Sequence, residues 1–180
     1  MPANVLILPG IGNSGPQHWQ TLWEQSNPGF VRVQQRDWDH PVCADWVAAI
    51  EDAVKRSGPD TVLVAHSLAC LAVAHWAAGT DRRHSPVRAA LLVAVPNSKR
   101  PGFPREAVGF ADTPTEPFEF PSTVAVSDDD PFGSAENTER LAAAWGSRVV
   151  RIGPCGHINA SSGLGDWPAG YALLKALLDR

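Results

Sequence analysis

The chain has 180 residues, 44% of them hydrophobic and 19% charged, with a net charge of −4; these proportions predict one globular domain over 1–180 and exclude wholesale disorder. No run of Lys or Arg offers an electrostatic footprint, so neither nucleic acid nor an anionic membrane is expected as a partner. The opening MPANVLILPG lacks a basic stretch and is too briefly apolar for a signal peptide or membrane span, and three widely spaced Cys do not suggest a disulfide framework, so a cytoplasmic, thiol-reduced protein is expected.

In chain order, residues 5–8 form an apolar run that predicts a first strand, followed by a glycine loop and a helix over 16–25 with Pro16 in its first turn. A strand over 31–34 comes next. The helix over 43–56 places Val47, Ile50 and Val54 on one face and Glu51, Asp52, Lys55 and Arg56 on the other, and Gly58-Pro59 stops it. A strand over 61–65 leads into a helix over 68–78, and a strand over 89–95 ends in a segment, 96–121, with six prolines and little periodicity. Strand 124–126, helix 135–145, strand 149–152 and helix 167–178 complete the chain. Val-rich strands without clean alternation, separated by helices, predict an α/β fold: a three-layer, doubly wound, mostly parallel sheet of six strands. The prolyl segment leaves the carboxyl edge of that sheet, where ligands sit in such folds, and reads as a functional loop.

The first loop contains Gly10-x-Gly12-x-x-Gly15, the spacing of a dinucleotide-binding turn, and Asp37 after the second strand could mimic the ribose-binding acid. In that turn the helix begins inside the glycine motif. Here Pro16 follows Gly15 and favours a later start, so the loop is wider than the fingerprint allows. The nucleotide reading therefore stands beside two others, a flexible turn of small residues or a source of backbone N–H groups for an anion.

Ala65-His66-Ser67-Leu68-Ala69 joins the third strand to a helix. A Ser there, with a small residue two positions away on each side, fits a nucleophile elbow; a helix N-cap is the plainer reading. A serine hydroxyl needs a base, and the base an orienting acid. Asp128-Asp129-Asp130 follows the fifth strand and His157 the sixth, in the chain order that this architecture uses. Alone, the acids would read as a solvated turn and His157 as a loop residue bonded to backbone. Together they put the required residue types at three strand ends on one edge. His66 is expected to point away from that edge, because strand neighbours alternate faces. Cys155 matches no nucleophile position, Cys70 reads as core packing, and His75 and His84 have no metal-ligand spacing, so neither metal nor cofactor is expected.

PGIGNSGPQHW, AHSLA, SDDDPF and CGH together resemble the small α/β-hydrolase-fold serine hydrolases typified by retinoblastoma-binding protein nine and the bacterial YdeN-like proteins, over nearly the whole chain. The resemblance implies strand order 2-1-3-4-5-6 and a catalytic set of Ser67, His157 and Asp130, the last chosen by its interval of 27 residues from the histidine. It also implies an oxyanion hole from the N–H groups of Leu68 and Ile11, with Gly10, Gly12, His18 and Trp19 as supporting or pocket residues. The activity implied is hydrolysis of a small or medium carboxylic ester, thioester or amide through an acyl-enzyme, with the 96–121 loop shaping the pocket for a small-molecule acyl substrate. The alternative is a binding module on the same fold, with a protein partner in place of the substrate.

Overall fold

The computed structural model describes residues 4–79 and 86–179; His84 lies outside them. Six strands, β1 (Asn4–Leu8), β2 (Phe30–Arg32), β3 (Thr61–His66), β4 (Val87–Val93), β5 (Ser122–Val126) and β6 (Arg148–Arg151), form one sheet in the order β2-β1-β3-β4-β5-β6. Every adjacent pair is parallel. The reason lies in the strand sequences. Every residue of β3 and β5 is buried, and apart from His66 at the end of β3 their side chains are apolar or small on both faces, with helices covering both.

Successive residues of β1 sort the core into two halves. Leu6 and Leu8 join Leu63, Ala65 and Leu92 under α2 (Cys43–Ser57), α3 (Leu68–Gly79) and α4 (Ala135–Trp145). Val5 and Ile7 join Val62, Val64, Leu91 and Val93 under α1 (Trp19–Ser26) and α5 (Pro168–Leu178). α2 follows its amphipathic pattern, burying Trp46, Ile50 and Val54, whereas α3 is apolar on nearly every side because it lies between the sheet and α2.

Several boundaries depart from expectation. α1 begins at Trp19, not Pro16: residues 16–17 form a turn, and His18 caps the helix by accepting the Gln20 N–H on its Nδ1 at 3.2 Å. β2 has only three residues, and although Val33 N still reaches Ile7 O at 2.9 Å the chain then leaves the sheet. β4 ends at Val93 because Ala94 turns into the left-handed region at φ 56°. Segment 96–121 forms no helix or strand beyond an isolated bridge between Val42 and Val108. It is held by its aromatics: Phe110 is fully buried against Trp46, and Phe118 stacks on Trp145. Both sheet edges are poor pairing surfaces, β2 by its length and β6 by exposed arginines at each end. Among the described residues no helix is long and apolar enough to cross a membrane.

Candidate active site

The chain turns sharply between β3 and α3, with Ser67 at φ 54° and its N–H bonded to Val93 O at 2.9 Å. A left-handed non-glycine residue is strained, and the turn lifts the hydroxyl above the sheet edge. Ala65 and Ala69, where glycines are usual, are almost fully buried and fit this bend. Gly10 explains the first loop. A Cβ there would lie 2.9 Å from Ser67 Cβ and 3.1 Å from His66 O, so only glycine lets the two loops meet. Gly12 has φ 75° and commits its N–H to Trp38 O at 2.8 Å, shaping the turn outside the cleft wall. With Gly10 packed on the Ser67 turn and the helix starting four residues beyond Gly15, the dinucleotide fingerprint is not met. Asp37 instead caps an exposed turn, accepting the N–H groups of Asp39 and His40.

The three strand-end loops converge. His157 Nε2 lies 2.7 Å from Ser67 Oγ, and its Nδ1 lies 2.9 Å from both carboxylate oxygens of Asp130. A carboxylate can only accept, so Nδ1 carries the proton and Nε2 accepts from the serine. The Asp130 side chain is only 3% exposed, and its Oδ1 also accepts the Phe132 N–H at 2.9 Å. The neighbouring acids have other tasks. Asp128 pairs with Arg151 at 3.1 Å on the outside. Asp129 accepts from Gly156 N at 2.7 Å and Ser127 Oγ at 2.9 Å, while Ser127 Oγ accepts the Cys155 N–H at 2.9 Å. These bonds staple the histidine loop to the acid loop, and the Gly156 amide, followed by the Ser127 hydroxyl, holds the Asp129 carboxyl below its usual range.

A second set of bonds holds His157 from beneath. Trp19 Nε1 donates to Ile158 O at 2.8 Å, and His66 Nε2 donates to His157 O at 2.9 Å. His66 therefore does not point away from the site as strand alternation suggested. It faces the α1 side, and the histidine loop crosses the sheet edge on that same side, so its ring reaches the base of the cleft. Burial, reinforced by His18 and His157, pushes the His66 pKa well below its ordinary value. His18, 5% exposed, packs against His66 at 4.7 Å and is lowered to about 4 by burial, then Arg32, then His157. Both imidazoles are neutral near neutral pH.

Sequence reasoning missed Gln20, which is fully buried and donates Nε2 to Leu8 O and Val64 O, both at 3.1 Å. Its Oε1 accepts from Ser14 Oγ at 2.7 Å, so one amide ties the ends of β1 and β3 to the glycine loop. Arg32 clamps the same loop through Asn13 Oδ1 and Ser14 O. Cys70 is buried with Sγ 3.4 Å from Val93 O, and burial pushes its thiol up. Cys155 turns its sulfur toward Ile152 O.

A cavity of about 370 Å³ opens over Ser67. Ile11, Leu68, Phe103, Pro104 and Phe132 give it apolar walls, and Asn159 and Ser161 a neutral polar one. The prolyl segment thus supplies part of the wall. The Leu68 and Ile11 amides donate to no backbone carbonyl among the described residues, leaving both N–H groups free beside Ser67.

The all-parallel sheet with its sharp strand-to-helix serine turn has the architecture of an α/β-hydrolase. Residues 5–176 match the serine hydrolase family profile, and the chain belongs to that family. Among solved structures it is similar to a YdeN-like hydrolase of Pectobacterium atrosepticum, with 28% identity, TM-score 0.85, and coverage of 98% of this chain and 91% of that one. It also resembles the ydeN gene product of B. subtilis, at 19% identity, TM-score 0.78, and coverage of 99% and 100%. The RedJ thioesterase of the prodiginine pathway of Streptomyces coelicolor shares the fold at 18% identity and TM-score 0.68, with coverage of 99% and 90%. No curated protein sequence matches the chain significantly.

Proposed function

We propose that the whole chain acts as one hydrolase domain that cleaves a small or medium carboxylic ester, thioester or amide through an acyl-enzyme, with Ser67 as nucleophile, His157 as base and Asp130 as orienting acid. The observation that carries this reading is the unbroken bonding from Asp130 through His157 to Ser67, 2.9 Å and then 2.7 Å, beneath an apolar cleft. Ser67 Oγ attacks the substrate carbonyl carbon as its proton passes to His157 Nε2, and the resulting imidazolium is stabilised by Asp130. The tetrahedral oxygen is received by the N–H groups of Leu68 and Ile11, each worth about 3 kcal/mol of transition-state stabilisation in such holes. His157 then returns the proton to the leaving oxygen, sulfur or nitrogen as its bond to the acyl carbon breaks. Water, deprotonated by the same imidazole, releases the acid and restores Ser67.

The 96–121 loop contributes Phe103 and Pro104 to the acyl pocket, and the neutral walls suit an uncharged acyl group. A cytoplasmic location accords with Cys43, Cys70 and Cys155 all being free. The test is covalent labelling with a fluorophosphonate, the adduct located by mass. Labelling at Ser67 is expected, lost in Ser67→Ala and reduced at least a thousandfold in rate in His157→Ala. A folded protein that takes up no label would overturn the reading in favour of a binding module.

A further inference from the structure

Beside the cleft wall, Arg100 is a cation with no counter-charge among the described residues. Arg100 is half-buried, and its guanidinium carbon lies 5.5 Å from the centre of the Phe132 ring. Among the described residues that guanidinium has neither an ion pair nor a hydrogen bond. Nearby carboxylates are engaged elsewhere: Asp112 lies 4.0 Å from Lys99, Asp128 pairs with Arg151, and Asp129 and Asp130 hold the histidine loop. Further along the same loop, Arg105 and Glu106 are both exposed, whereas Arg100 is half-buried.

The platform beneath Arg100 is tied through its backbone to the reacting groups. Phe132 lines the cleft and meets the His157 ring edge-on at 4.6 Å. Its N–H donates to Asp130, its carbonyl accepts Asn97 N at 2.9 Å, and Asn97 O accepts Arg100 N at 3.2 Å. Laid end to end, the two ring contacts put the guanidinium carbon at most about 10 Å from the His157 ring centre. His157 protonates the departing atom, so Phe132 and Arg100 border the leaving-group side.

We propose that Arg100 determines specificity by receiving a carboxylate on the leaving group of the substrate. The proposal rests on the acyl-transfer reading above. A guanidinium fork matches a carboxylate geometrically, and stacking on Phe132 removes part of the rotamer freedom that such a contact would otherwise cost. The neutral cleft and the cation beside it together fit a substrate with an apolar acyl end and an anionic far end.

The experiment compares 4-carboxyphenyl butyrate with 4-carbamoylphenyl butyrate, esters of one acyl group that differ in the charge of the leaving group. The wild-type protein is expected to prefer the carboxylate in kcat/KM. Arg100→Gln is expected to lower that preference about fivefold, through KM rather than kcat, as suits a partly exposed ion pair. Arg100→Lys should restore part of the preference, and 0.5 M NaCl should erode it in the wild type. Equal changes for the two esters, or a wild-type protein indifferent to them, would overturn the proposal. Failure of the wild type to turn over either ester, together with failed labelling of Ser67, would overturn the acyl-transfer reading and this proposal with it; turnover without preference overturns this proposal alone.

Discussion

Gly10 is where a single hydrogen atom decides the geometry of the site. Its missing side chain lets the loop after β1 rest on Ser67 Cβ and the His66 carbonyl, which brings Ile11 into the same cleft lining as Leu68 and Ser67. In Gly10→Ala the obstructing atoms are backbone or next to it, so one of the two loops must move. We expect kcat on a butyrate ester to fall by roughly a hundredfold, as misplacing a reacting group by about 1 Å does. Overpacking of this kind costs about 1–3 kcal/mol, so the melting temperature should drop by several degrees; both are read from one preparation by initial rates and circular dichroism. The glycine was legible in the sequence as a loop residue. That its neighbour across the gap is Ser67 was legible only through the resemblance, since 57 residues separate the two.

At the scale of elements, the existence of the six strands was the most legible part of the chain, because Val-rich runs bounded by helices leave few alternatives, although their ends shift by one or two residues. The joints between them were less so. Pro16 is an ordinary first helical residue, yet His18 caps α1, because its Nδ1 reaches the Gln20 amide once the imidazole is enclosed. Gln20 drew no reading from the sequence; its burial depends on the β1 and β3 ends meeting beside it, which no local pattern encodes. The staple between the acid and histidine loops was likewise hidden in a run of three aspartates, only one of which was assigned a role. Asp129 acts on His157 through the Gly156 amide and is a positioning residue. In Asp129→Ala we expect kcat to fall about tenfold with KM little changed, because the exposed amide can bond to water while the loop loses its register. Asp129→Asn, which keeps the accepting oxygen, should recover most of the rate. An Asn variant as slow as the Ala variant would count against a positioning role.

For the whole molecule, two buried imidazoles at the sheet edge, His18 and His66, link stability to pH. His18 titrates near 4 in the folded protein and His66 well below its ordinary value, whereas both are near 6.5 when unfolded. Between those values the unfolded chain binds more protons than the folded one, so stability is intact above about pH 6.5 and declines as pH falls toward 4. His18 alone should remove about 2 kcal/mol between pH 7.5 and pH 5, measurable by urea denaturation at the two pH values. His18→Gln should flatten part of that slope, and an unchanged slope would argue that His18 is not buried neutral.

The sheet borders matter in a crowded cell. A molecule that unzips slightly at its margin usually risks recruiting a neighbour's backbone, yet here one margin is three residues wide and the other is bracketed by Arg148 and Arg151. A second molecule finds no long ladder to extend there, and the charged side chains at the ends of β6, with Arg151 paired to Asp128 and Glu139, offer no apolar strip to dock on. Self-association through helical surfaces would be disrupted by substitutions there, with the hydrogen-bonded borders left untouched.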